Sequence, residues 1–406
     1  MKFDFLYIIG LLLALLAEVL TLFMPVHTPE LAGVFFLAYL VVERRFSKEY
    51  IKWMAVMFVF SAFSMLWALD LWCCYWGLRQ MVTVYIGMLA SYCYLRQSPK
   101  NIINLLKAFL FVSVILVVFI LRNIDQVEVG VRLGTQLNEN FGYGKSVVNS
   151  NIIALYLSYA LYAIFVLFFQ RSKRKLVRLG VLLVCALLVY LILLTGSRKA
   201  IILLLLPFII IPLLNKNKGK RIFLVPITVA VVVLGFYLIM YVPVLYEVLG
   251  SRVEDMINII SGTDSGGEDV SRAFLIEYGI EWFKQKPFLG HGINNFRVLS
   301  NSNWMFAGYN FYAHNNYIEL LVDVGIVGTV IYYNCYFYFI RKLKGHFSDS
   351  LFNKWILVLI IVSLSLDIAL VSYYSFISNL ILCMCFYAVD ITHEKNVKIN
   401  KKYETS

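Results

Sequence analysis

Apolar runs of roughly 15–22 residues recur from one end of the chain to the other, each the length of an α-helix that crosses a bilayer core about 30 Å thick. A lone strand in lipid cannot satisfy its own backbone, so the spanning form is helical. Composition agrees. Of the 406 residues, 61% are hydrophobic and only 15% are charged, where a soluble domain has about 45–50% and about 25%. These proportions exclude a soluble enzyme, a disordered chain and a nucleic-acid reader. The sequence predicts an all-α polytopic membrane protein with about 12 transmembrane helices. They are placed at 5–24, 29–43, 51–69, 71–95, 102–121, 150–169, 179–194, 200–214, 222–242, 315–340, 355–371 and 374–390. The second and eighth are short, and the eighth carries Pro207 and Pro212.

The net charge is +12, but Lys and Arg collect in every second loop, as they do in cytoplasmic loops of membrane proteins. Arg44, Arg45 and Lys48 share one such loop, and Arg96 and Lys100 the next. The stretches 171–178, 216–221, 341–354 and 395–402 supply the rest. Both termini are then cytoplasmic. The first apolar run follows only Lys2 and lacks a small-residue cleavage site, so it reads as a retained span. The seven cysteines (Cys73, Cys74, Cys93, Cys185, Cys335, Cys383 and Cys385) all lie in apolar segments and read as buried thiols without metal or disulfide spacing.

This topology leaves two long external loops, about 122–149 and 243–314. The chain divides into helices 1–9 over 1–242, the large helical loop 243–314, and helices 10–12 with a cytoplasmic tail over 315–406. Within the large loop, helices are expected near 244–260 and 269–286, with Asp269 and Ser271 available as caps and Pro287 as the stop. The stretch 261–268 between them reads as a linker. Its Asp264 and Glu268, with Asp269, lack a calcium-loop spacing, and no metal site is assigned.

His314 stands in Tyr312-Ala-His-Asn-Asn-Tyr-Ile-Glu-Leu320, where the large loop ends and an inward helix begins. Asn316 and Glu319 have capping-box spacing, with Asn in place of Ser or Thr. An imidazole at the external water–membrane boundary can accept a proton near neutral pH, or simply anchor the helix. Arg198 and Lys199 sit in the external turn Leu194-Thr-Gly-Ser-Arg-Lys-Ala200. Ser197 is placed to cap the next helix, whose N-terminal N–H groups favour an anion. The plainer reading is a pair of snorkelling basic residues. Arg272, in Val270-Ser-Arg-Ala-Phe274, lies in the first turn of the second loop helix, where its charge repeats the sign of the dipole. It suits either an anion or a surface pair with Glu268, Asp269 or Glu277. Arg132 is a further candidate from the first external loop, and His291, in Gly290-His-Gly292, reads as structural. Glu18, Asp70, Arg79, Asp323 and Asp367 lie in or near spans, where such residues face the bundle interior. Asn315, Glu319 and Asp323 share one helix face and are expected to line a polar cleft below His314. Arg198, Arg272 and His314 all fall on one side of the membrane. Two guanidinium groups, a helix N-terminus and a base suit a lipid-linked diphosphate donor and the deprotonation of a hydroxyl.

At these residues the chain resembles the O-antigen ligase / O-antigen polymerase superfamily of bacterial membrane glycosyltransferases. Three stretches carry the resemblance: Leu194-Thr-Gly-Ser-Arg-Lys-Ala200; Ser271-Arg272 through Trp282 to Lys286-Pro-Phe-Leu-Gly-His-Gly292; and Ala313-His-Asn-Asn-Tyr-Ile-Glu-Leu-Leu-Val-Asp-Val-Gly-Ile-Val-Gly328. The matched block covers roughly 150–330, and the third stretch is the most specific. The resemblance implies a GT-C-like membrane fold, an undecaprenyl-diphosphate-linked glycan as donor, and inverting transfer without a metal or other cofactor. It implies diphosphate binding by Arg198 and Arg272 and proton abstraction by His314. Arg132 matches a looser arginine of the family, and Lys199, Asn315 and Glu319 are secondary candidates.

Three functions are weighed. A polymerase joins lipid-linked repeat units into O-antigen or capsular polysaccharide; the wording of the motifs looks closer to this one. A ligase moves the finished chain to lipid A–core or to protein. A lipid-linked-glycan flippase is the rival from another class, opposed by the single late loop that breaks repeat symmetry. The expected setting is the bacterial inner membrane with the active site on the external face. Expected partners are the bilayer, the donor and acceptor glycans, and a chain-length regulator and flippase of the same pathway, with no nucleic acid.

Overall fold

The computed structural model describes residues 3–20, 27–123, 131–134, 137, 149–169, 174–251, 253–254, 268–306 and 308–404. Each segment predicted to span contains a helix among the described residues. The helices are α1 (Asp4–Val19), α2 (Thr28–Val42), α3 (Lys48–Phe63), α4 (Leu71–Gln97), α5 (Asn101–Asn123), α6 (Ser150–Ile164), α7 (Lys175–Leu194), α8 (Arg198–Leu213) and α9 (Lys218–Tyr241). After them come α10 (Glu268–Gln285), α11 (Phe296–Ser302), α12 (Asn316–Leu343), α13 (Leu351–Leu366) and α14 (Phe376–Glu404). There is no strand among the described residues. Seven helices are long and apolar enough to cross a membrane, and α2 and α13 are shorter apolar helices. The second loop helix runs from Glu268 to Gln285 and stops before Pro287, as expected. The first is described as the short turn Pro243–Leu245 and the π-helical Tyr246–Gly250. Residues 252 and 255–260 of it, the 261–267 linker with Asp264, and most of the first external loop lie outside the described residues, as do the Glu268, Asp269 and Ser271 side chains.

The chain forms two compact units. One comprises residues 1–35 and 98–265, the other residues 36–97 and 266–406. In the first, α6 is the central helix. The Phe109 ring of α5 stacks on Tyr156 of α6 with centroids 5.3 Å apart, and the Tyr156 hydroxyl donates to Glu18 of α1 at 2.9 Å. Glu18, an acid in an apolar helix, is thus supplied with a buried donor, as such residues require.

The second unit has an aromatic core. Tyr50 of α3 stacks on Phe386 of α14 at 4.5 Å, and the Trp53 indole donates to the Ile331 carbonyl of α12 at 3.0 Å. The helix that matters most is α12, because it breaks at Gly325, whose φ is 64° and ψ −170°. A Cβ at this position would sit 2.3 Å from the Phe288 carbonyl oxygen, so only glycine fits. The break frees backbone groups of α12, and the segment 287–296 uses them. Ile326 donates to the Pro287 carbonyl at 2.9 Å, while His291 and Gly292 donate to the Val322 and Asp323 carbonyls at 2.8 Å each. Gly290 is equally obligatory: its φ is +68° and a Cβ would lie 2.5 Å from the Asp323 carbonyl oxygen. The Gly290-His-Gly292 turn is therefore a clamp on the kink.

Candidate active site

The clamp leads directly into the site of the second unit. The Asp323 carboxylate, fully buried, accepts from the Asn294 and Phe296 N–H groups at 2.7 Å each. Asn294 has a φ of 62°, a conformation Asn tolerates. This anchorage starts α11 and sets the direction of Arg297. Its guanidinium donates through Nε to Asn294 Oδ1 at 3.1 Å, through Nη1 to the Asn310 carbonyl at 3.4 Å, and through Nη2 to the Tyr374 hydroxyl at 3.2 Å. It also lies over the Tyr312 ring, 5.2 Å from the centroid. Burial opposes its charge, but the Tyr374 phenol and the Glu319 carboxylate more than compensate and hold its pKa above the ordinary value.

Tyr312 in turn meets His314, with ring centroids 3.9 Å apart. Burial pushes the Tyr312 phenol up, while the charges of Arg297 and Arg272 pull it back. Both guanidinium groups therefore act on the ring beside His314. The His314 backbone is left-handed, with a φ of 53°, which costs a non-glycine residue roughly 1–2 kcal/mol and marks the position as one the surroundings enforce. Two contacts enforce it. The Ala313 N–H donates to Glu319 Oε2, and the Asn315 side chain caps α12 by accepting from Tyr317 and Ile318 at 3.0 and 3.1 Å.

Several expectations change here. The cap of α12 is Asn315, one residue earlier than the Asn316 capping box. Glu319 turns to Ala313 instead of closing that box. Asn316, fully buried, donates to the Tyr333 hydroxyl at 2.9 Å and accepts from the Ser372 N–H at 2.9 Å, while Tyr333 donates to Asp367 at 2.7 Å. Asn315, Glu319 and Asp323 do not line an open cleft; all three are buried and hold backbone, because segment 290–297 covers that face. Arg272 is the fifth residue of the described α10, one residue from its expected place near the helix start. His291 is structural. It is buried, and its Nε2 lies 2.8 Å from the Trp282 carbonyl oxygen, which requires the proton on Nε2. Asp70 caps α4 by accepting from the Cys73 N–H at 2.8 Å, and the Arg79 guanidinium lies over Trp76, 4.5 Å from the ring centroid.

The first unit holds the other motif. The turn before α8 carries Gly196 with φ +59°, where a Cβ would lie 2.7 Å from the Val248 carbonyl oxygen and 3.3 Å from Arg132 Cγ. Arg132 Nε donates to the Thr195 carbonyl at 3.0 Å, so Arg132 is packed onto the turn that presents Arg198 and Lys199. Ser197 is at the cap position of α8, yet its hydroxyl donates to Asn151 Oδ1 at 2.8 Å and makes no cap bond. The structure thus brings together Arg297, Tyr312 and His314 in one unit, whose α10 also carries Arg272, and packs Arg132 onto the turn before Arg198 in the other. Arg297 is the residue that sequence reasoning missed. Its one signal is a guanidinium in the large loop, five residues beyond the Gly290-His-Gly292 clamp.

No curated protein matches the chain. Residues 183–333, which contain the Thr195–Lys199 turn, Arg272, Arg297 and His314, match the family model described as O-antigen ligase, which supports the resemblance to the O-antigen ligase / O-antigen polymerase superfamily.

Proposed function

We propose that the protein is a membrane glycosyltransferase that joins undecaprenyl-diphosphate-linked oligosaccharide repeat units into an O-antigen or capsular polysaccharide at the external face of the bacterial inner membrane. The observation that carries this reading is the strained His314 turn, held by Glu319 and Asn315 beside Tyr312, with the Arg297 guanidinium over the same ring. His314 takes the proton of an acceptor sugar hydroxyl as that oxygen attacks the anomeric carbon of the donor. The bond to the donor diphosphate breaks, and the configuration inverts. Arg272 and Arg297 stabilise the charge that grows on the departing diphosphate. Arg198, with Arg132 packed onto its turn, is assigned to phosphate oxygens on the resemblance and on its place in the first turn of α8.

A ligase that hands the finished glycan to lipid A–core uses the same base and the same leaving group, and the family description favours it as the second reading. The test is reconstitution of the full chain in vesicles with purified lipid-linked repeat unit alone. A ladder of products spaced by one repeat supports the polymerase. No ladder, but transfer once lipid A–core is added, supports the ligase. Movement of the glycolipid across the bilayer without product would contradict both.

A further inference from the structure

We propose that residues 301–306 and 308–312 form the acceptor subsite, an aromatic and amide surface that receives the neutral carbohydrate chain whose hydroxyl His314 deprotonates; this rests on the reading of His314 as the base. From Ser300 to Ala313 the sequence has no charged side chain. It has Trp304, Phe306, Tyr309, Phe311 and Tyr312, interleaved with Asn301, Asn303 and Asn310.

The segment is pinned. Phe306 is 5% exposed and packs edge-on against Tyr278 and Trp282, with centroids 5.7 and 6.5 Å away. Asn303 Oδ1 accepts from the Met305 N–H at 2.9 Å, the Asn301 amide donates to the Gly308 carbonyl, and the Ser300 hydroxyl donates to the Phe311 carbonyl at 2.9 Å. On this fixed frame Trp304 is 81% exposed and Tyr309 65%. Large apolar groups held outward in this way mark an interaction surface.

The Tyr309 end of this segment reaches the site. Tyr309 and Phe311 are 5.7 Å apart, the Asn310 carbonyl between them accepts from Arg297 at 3.4 Å, and Arg297 lies over Tyr312, which meets His314. A sugar ring offers an apolar C–H face for aromatic rings and hydroxyls for amide groups, which is the chemistry of this segment. An anionic lipid surface would call for Lys or Arg, and the segment has neither. The path ends on the imidazole, so it serves the glycan that loses a proton, while the arginines serve the diphosphate.

The experiment uses the full chain carrying His314→Asn, so that no turnover occurs. The probe is the repeat-unit oligosaccharide freed of its diphosphate lipid by mild acid, and its Kd is measured by calorimetry. Added Trp304→Ala should weaken binding roughly tenfold or more. Trp304→Phe should restore most of it, and farnesyl diphosphate affinity should not change. If Trp304→Ala does not fold, Tyr309→Ala decides the matter by the same measurement. Unchanged sugar affinity in Trp304→Ala or Tyr309→Ala, or no sugar binding with the segment intact, overturns the proposal. So does quenching of Trp304 by brominated lipid with unchanged sugar affinity, which would give the segment to the bilayer. Continued polymer formation by His314→Asn would instead refute the base, and leave the sugar affinities to be read separately.

Discussion

The Tyr312 ring lies against the His314 imidazole, with centroids 3.9 Å and planes 37° apart. The two residues are separated in sequence by Ala313 alone, and the contact exists because His314 adopts a left-handed backbone. A right-handed or extended residue there would send the imidazole elsewhere. The candidate base is therefore placed by a turn, and the turn is placed by the first helical turn of α12.

Arg297 should matter as much as Arg272. Its donors to Asn294, Asn310 and Tyr374 fix a guanidinium beside Tyr312. Lysine keeps the charge but cannot reproduce the fork. Arg297→Lys and Arg297→Ala should each lower the rate of polymer formation by about 10²–10³, the cost of losing one positioned donor to developing charge. Initial rates on purified lipid-linked repeat unit check this, with circular dichroism confirming that both variants fold.

Glu319 acts through the His314 turn. Gln at 319 retains an oxygen for the Ala313 N–H, whereas Ala leaves that buried donor without a partner. Glu319→Ala should lower kcat by about 10²-fold, the scale of a roughly 1 Å misplacement, with little change in KM. Glu319→Gln should recover most of that loss. Equal losses in the two variants would mean that the carboxylate charge, not the hydrogen bond, is what counts.

Much of this was legible in the sequence. The apolar runs located the helices, Pro287 located the end of α10, and the Ala-His-Asn-Asn stretch located the site. What stayed hidden has physical reasons. The kink of α12 falls in Val322-Asp-Val-Gly-Ile-Val-Gly328, which reads as unbroken apolar helix because the groups that stabilise the break come from segment 287–296, some thirty residues earlier. Asp323 looked like a cleft residue because its partners, the Asn294 and Phe296 N–H groups, are backbone and leave no side-chain pattern. Arg297 escaped because its environment is assembled from Asn294, the 310–312 stretch and Tyr374, of which only Asn294 is near in sequence. The cap at Asn315 instead of Asn316 is a one-residue shift that two successive asparagines do not resolve.

His291 supplies a pH dependence of stability. Burial holds its imidazole below the ordinary histidine range against the raising effect of the Trp282 carbonyl, and Lys286 lowers it further. The folded state thus binds the proton less readily than the unfolded chain, whose histidine titrates near about 6.5. Stability is full above that value and falls as the pH drops through and below it. The melting temperature of the full chain should fall between pH 7.5 and pH 5.5. His291→Gln, which keeps a donor for the Trp282 carbonyl and does not titrate, should flatten that fall. Parallel curves for the two proteins would remove His291 as the cause.

The most direct measurement is the rate at which His314→Asn makes polymer from purified lipid-linked repeat unit. Asparagine tolerates the left-handed backbone at this position, so the turn survives while the base is lost. The account predicts a folded protein that still binds the donor and forms no ladder. Polymer made at the wild-type rate would contradict it.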